Sequence, residues 1–153
     1  MIYFTTDTHF CHDREFIYKE RGFDSILQHD YILLQTICKT VKADDILWVL
    51  GDISWDDPVY YINLIAEECN VNVVTGNHDQ QLINDKNKLY KNVKLFTGFV
   101  NTKFEGQKVT LSHFPLLNWE KSHYNSWQLY GHLHNKQIPI DGKLFDVCPT
   151  KDH

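Results

Sequence analysis

Long apolar runs are missing from this 153-residue chain; "ILWVL" at 46–50 is typical of what it has, against the roughly 20 residues that span a bilayer. The start "MIYFTTD" has no basic flank ahead of its apolar stretch, so no secretory leader and no membrane span are expected, and the expected compartment is the cytoplasm. Arginine is nearly absent, with only Arg14 and Arg21, and the formal charge is −5. Surfaces that grip duplex nucleic acid draw their affinity from clustered basic residues, which disfavours that partner but not a small phosphate ester. Cys11, Cys38, Cys69 and Cys148 form no C-x-x-C pair, which argues against a thiolate zinc site and for four reduced thiols. Linkers, repeats and low-complexity segments are missing too. One domain over residues 1–153 is expected, without a cap, since 19 residues follow His134.

What the chain does have is alternation. Residues 2–6 (IYFTT), 46–50 (ILWVL) and 71–75 (VNVVT) read as strands, each a short β-rich run bounded by polar residues. Between them, Leu27, Tyr31, Leu34, Cys38 and Val41 recur at helical spacing, predicting one buried face. Asp57 is a candidate N-cap with Pro58 at the first helical position, followed by Ile62, Ile65, Ala66 and Cys69 on one side. Strands alternating with helices imply parallel strands and crossover connections. After about residue 92 the spacing shortens, with tight-turn signals at Glu105-Gly106 and Asp141-Gly142. The expected fold is therefore α/β, two sheets packed in a sandwich with helices outside, parallel in the N-terminal half and antiparallel-leaning in the C-terminal half.

Five of these strands end in polar residues. "IYFTT" runs into Asp7-Thr8-His9, "ILWVL" into Gly51-Asp52, and "VNVVT" into Gly76-Asn77-His78-Asp79. "KVTLS" is followed by His113, and "SWQLY" by Gly131-His132-Leu133-His134. Ligand crevices of open α/β sheets lie at the C-terminal strand ends, so parallel ends would gather these side chains in one place. Imidazole and carboxylate in such numbers suit divalent transition ions, and there are too many donors for one tetrahedral ion. Singly, "GD" or "DTH" is more often a turn or a helix start; the ordered set carries the weight.

The order D-x-H, GD, GNHD, H and GHxH from Asp7 to His134 resembles the calcineurin-like metallophosphoesterase superfamily, and "LSHFPLLNW" with "LYGHLH" is similar to its small single-domain bacterial and phage members. The resemblance implies a two-sheet αββα sandwich and two divalent ions, manganese foremost, with iron, nickel, zinc or magnesium as alternatives. By that resemblance Asp7, His9 and His134 would hold one ion, Asn77, His113 and His132 the other, and Asp52 would bridge them. A hydroxide between the ions would attack a phosphodiester or phosphomonoester, and His78, supported by a hydrogen bond to Asp79, would protonate the leaving group. Cys11 departs from the pattern, standing where relatives commonly have glycine.

The substrate side is less specified. Arg14 and Arg21 follow the first motif closely and could pair with a phosphate. Trp55, Phe114, Trp119 and Tyr130 flank the motifs and could stack on a nucleobase, although packing accounts for any one of them equally well. His12 is expected near the site, and His29, His123 and His153 on the surface or in loops. Lys86, Lys88, Lys91 and Lys94 read as a solvated face. Two other readings compete with the phosphoesterase. A non-catalytic interaction module on the same fold would show ligand loss, which this chain does not, and a nuclease is disfavoured by the acidity.

Overall fold

Four short parallel strands, β1 (Ile2–Thr5), β2 (Ile46–Val49), β3 (Asn70–Val74) and β4 (Val93–Phe96), form the first sheet in that order. The computed structural model describes residues 1–136 and 138–149, and His153 lies outside them. Helix α1 (Glu15–Tyr18) and helix α2 (Ile26–Thr40) lie between β1 and β2, and α3 (Pro58–Ala66) links β2 to β3. The short α4 (Gln80–Asn84) follows β3. The Ser25 side chain caps α2 through the Gln28 amide, and the Asp57 side chain caps α3 through Tyr60, with Pro58 opening the helix.

Val71 and Val73 of β3 pack with Leu47 and Val49 of β2 against Leu33 and Ile37 of α2, Ile62 and Ile65 of α3, and Leu82 of α4. Ile62 is fully buried there. Ile62→Ala should cost about 2–5 kcal/mol through lost burial and the cavity left behind. A lower urea midpoint at unchanged slope would show this, and a loss under about 1 kcal/mol would contradict the packing.

The buried row of α2 differs in part from the expected one, of which Leu34, Cys38 and Val41 do pack on the core. His29, Leu33 and Ile37 face inward, whereas Leu27 and Tyr31 are 79% and 68% exposed. Apolar residues occur nearly all round this helix, so two rows compete, and the placement of His29 decides between them. That histidine was expected at the surface. It is instead fully buried, its Nε2 3.1 Å from Arg21 Nη1 and its Nδ1 2.8 Å from Asp30 Oδ1. His123 and the four lysines are exposed as expected.

The second sheet contains β5 (Phe99–Phe104), β6 (Gln107–Ser112), β7 (Trp127–Tyr130) and β8 (Lys143–Asp146), in that order. It packs on the first through Trp48, Leu50, Val74, Val109, Leu111 and Leu129. β5 and β6 form the hairpin expected at Glu105-Gly106, both residues at positive φ. The other pairings, β6 with β7 and β7 with β8, are parallel, so the sheet is mixed. Among the described residues no hairpin forms at Asp141-Gly142. That turn leads into β8, and Pro139 leaves the preceding "IPI" short of a ladder donor. On the far face the His113–Ser126 connection supplies cover, with Trp119 buried and the Leu116 amide donating to buried Gln128 Oε1 at 3.0 Å. Among the described residues no helix is long and apolar enough to cross a membrane.

Candidate metal centre

Because β1, β2 and β3 are parallel, their C-terminal ends lie side by side, and the residues beyond them are laced together. The Asp7 amide donates to Gly51 O at 2.9 Å, and the His9 amide to Asp52 O at 3.0 Å. The second sheet joins through the Gly131 amide, which donates to His113 O at 2.9 Å. Gly51 has φ +92°, and a Cβ there would lie 2.8 Å from His113 Nδ1, so only glycine lets the β2 end pass this ring. Asp7, His9, Asp52, His132 and His134 are all at positive φ. Left-handed backbone costs non-glycine residues of order 1–3 kcal/mol each, and such strain collects at functional sites.

The two carboxylates are used alike. Asp7 Oδ2 accepts the His132 amide at 2.8 Å, and Asp52 Oδ1 accepts the His78 amide at 2.9 Å. Each keeps its second oxygen for the crevice. Asp7 Oδ1 stands 3.7 Å from His9 Nε2 and 3.6 Å from His134 Nε2. Asp52 Oδ2 stands 3.8 Å from His9 Nε2 and 3.4 Å from His113 Nε2. Asn77 Oδ1 lies 3.0 Å from His113 Nε2, and the His132 ring packs 5.2 Å from that of His113.

Two donor groups result, Asp7 with His9 and His134, and Asp52 with His113 and His132, each with its ligand atoms within 4.8 Å of one another. Donors of one cation at about 2.0–2.2 Å stand about 3–4 Å apart, as Asp7 does from His9 and His134 and Asp52 does from His113. Asp7 Oδ1 and His9 Nε2 are buried without a hydrogen-bond partner. Leaving them so is costly, and a cation shared between them removes the cost. His113 Nδ1 lies 2.8 Å from Leu50 O; a ring N–H donated there directs the Nε2 lone pair into the crevice. The residues present fit a pair of divalent cations.

Electrostatics agree with that donor set. Burial disfavours the charged form of Asp52, but hydrogen bonding and charge from His113, the His78 amide and His9 outweigh it and bring the group to about 2. Asp7 is lowered as well, its burial overcome by His9, His113, the His132 amide and His134. Burial pushes His134 down to about 4 and also lowers His132, which favours the neutral rings a metal needs. His113 runs the other way: burial would lower it, but Asp52 raises it above the ordinary histidine value. A raised value means that the proton competes with a cation for His113 up to higher pH than at an ordinary histidine. Manganese held by the Asp52, His113 and His132 group should therefore be lost progressively as the pH falls toward and through the ordinary histidine range. Manganese stoichiometry across that window tests this, and a constant value would contradict it.

The remaining expected residues are placed as follows. His78 stands at the mouth, its side chain 41% exposed and its Nε2 4.0 Å from Asp52 Oδ2. The hydrogen bond expected between His78 and Asp79 is not among the contacts formed. Asp79 is fully buried and turned away, its oxygens accepting the amides of Gly76 at 2.7 Å, Asp52 at 2.9 Å and Ile53 at 3.1 Å. It ties the β2 and β3 ends together. Burial still raises its carboxyl, despite those amides.

Arg21, expected to face a phosphate, is buried behind the site. Its guanidinium lies 3.1 Å from His29 Nε2 and 3.4 Å from both His134 Nδ1 and Cys148 Sγ. Asp30 continues this chain of contacts by accepting the Cys11 amide at 2.8 Å. A support running from Arg21 through His29 and Asp30 to the first motif loop was not visible in sequence, where no spacing distinguishes these residues from surface charges. Arg14 is exposed at the start of α1, with no side-chain cap bond. Cys11 adopts φ 61°, which accounts for a preference for glycine there, and its thiol turns to the Tyr61 hydroxyl at 3.1 Å. His12 adjoins His9 as expected, with 3.4 Å between their Nδ1 atoms. Trp119 and Tyr130 are core residues, while Trp55 and Phe114 are exposed.

Paired histidine and carboxylate groups at the strand ends of a two-sheet α/β sandwich define the metallophosphoesterase class. The chain belongs to the calcineurin-like phosphoesterase family, which it matches over residues 1–146. Among solved structures it is similar to a protein of unknown function from Aquifex aeolicus, at 20% identity and a TM-score of 0.72, over 97% of this chain and 89% of that one. That likeness shows the same fold across both sheets. No curated protein matches the chain.

Proposed function

We propose that the protein is a dinuclear-metal-dependent phosphoesterase acting on a small phosphodiester or phosphomonoester. One observation carries the reading: Asp52 Oδ2 lies within 4 Å of His9 Nε2 in one donor group and of His113 Nε2 in the other. A single carboxylate oxygen so placed suits two neighbouring cations. Asp7, His9 and His134 would hold one and Asn77, His113 and His132 the other, with manganese the foremost candidate and iron, nickel, zinc or magnesium the alternatives. Bound ions of this kind supply an acidified water at neutral pH and positive charge against phosphoryl oxygens.

The chain's own residues do the rest. Asp7 and Asp52 stay ionised far below neutral pH, which keeps both donor groups anionic. Their charge repels a phosphate from the bare crevice, and two dications reverse that sign. His78 projects from the mouth where a departing alkoxide would leave, and it is the proposed proton donor. Asp79 fixes the turn that carries His78. Duplex nucleic acid remains a poor fit to a chain of net charge −5 with two arginines.

The test is a panel of monoester, linear diester, cyclic nucleotide and dinucleotide substrates, offered to chelated protein and to protein reloaded with manganese, nickel, zinc or magnesium. Hydrolysis restored by a divalent ion supports the reading. Two bound ions with no turnover would make the protein a non-catalytic module, and no bound ions would refute the centre itself.

A further inference from the structure

A wall of aromatic rings leads away from the metal centre on the His78 side. His12 is buried against His9, and its ring lies flat on Trp55, with centroids 4.2 Å apart and 14° between the planes. Phe16 meets the edge of His12 at 5.9 Å, and His78 stands 5.1 Å from Trp55. Trp55 is fixed by its backbone too, its amide donating to Phe10 O at 2.8 Å. The indole is nevertheless 56% exposed. One face is therefore held by a buried imidazole while much of the remaining ring surface stays open to solvent, beside the residue proposed to donate a proton. An indole held this way has little conformational freedom left to lose when another ring lands on it.

We infer that Trp55 is a stacking shelf for the leaving group, and that the esters this site prefers release a nucleoside. The inference rests on the phosphoesterase reading and on His78 marking the exit side. A p-nitrophenyl leaving group departs readily as an anion and makes little demand on His78. A nucleoside suits both neighbours: its sugar alkoxide needs the proton, and the sugar carries a planar base past His78 to the indole. Phe114 is also exposed, but it packs 4.6 Å from His132 and 4.9 Å from His113, beside the other donor group, whereas Trp55 adjoins His78.

The experiment compares a dinucleotide with a diester of the same linkage whose leaving sugar lacks its base, using manganese-loaded wild type, Trp55→Ala and Trp55→Phe. Base stacking lost to alanine predicts that the ratio of kcat/KM for dinucleotide over abasic diester falls at least about tenfold in Trp55→Ala and mostly recovers in Trp55→Phe. An unchanged ratio would overturn the shelf, even if both rates fell together, because Trp55 would then only steady His78. Calorimetry with a non-hydrolysable dinucleotide separates this from the function itself. Binding that weakens about tenfold in Trp55→Ala, in a protein that cleaves nothing, would keep the shelf and refute the phosphoesterase. Wild-type protein that binds no dinucleotide would refute the shelf.

Discussion

Asp52→Asn protein is expected to fold, to hold fewer than two divalent ions per chain, and to lose kcat/KM by at least about a thousandfold. The substitution keeps the side chain's shape, and an amide oxygen can still accept the His78 N–H that Asp52 Oδ1 accepts at 2.9 Å. What goes is the negative charge on an oxygen that faces nitrogens of both donor groups, 3.8 Å from His9 and 3.4 Å from His113. Asp52 is also a main reason His113 is raised, so asparagine should shift proton competition at His113 to lower pH. Metal analysis, circular dichroism and turnover on one preparation check all three points. Two tightly held ions in a well-folded Asp52→Asn protein would remove Asp52 from the centre and with it the observation on which the proposed function stands.

Much of this centre was legible because its signals are local. A β-rich run that stops at a histidine or carboxylate can be read from a few adjacent residues, and parallel pairing then decides that Asp7, Asp52 and Asn77 leave the same edge of the sheet. Signals that depend on direction in space were less legible. His78 and Asp79 are neighbours in sequence, yet the turn carries one ring to the mouth and drives the other side chain inward onto three amides. On α2, the rows through Leu27 and through His29 look equally apolar, and the inward row is the one whose histidine meets Arg21. An Asp-Gly pair announces a turn, but whether the run before it pairs as a strand depends on its neighbours, and β7 already pairs with β8 in parallel. The support behind His134 belongs to the same kind: Arg21 meets Cys148 across 127 positions of chain.

His78→Gln is expected to separate chemistry from coordination. Glutamine keeps the backbone amide that Asp52 accepts, and His78 is not needed to complete either three-residue donor group, so two ions should stay bound. For esters that release an alkyl or sugar alkoxide, kcat should fall about 10²- to 10⁴-fold, the usual share of a general acid. For p-nitrophenyl esters the loss should be far smaller, because that leaving group is stable as an anion. The contrast between the two substrate types is the decisive measurement, since a ring that merely shaped the mouth would slow both alike. The structure adds a second expectation. The ring has no hydrogen bond to Asp79, whose oxygens are engaged with backbone amides, so Asp79→Asn should impair the protein by loosening the join between the β2 and β3 ends. Its damage should therefore appear as lost stability and metal, without the leaving-group dependence that marks His78. Equal leaving-group dependence in both variants would restore the two as a dyad and contradict the geometry of the turn.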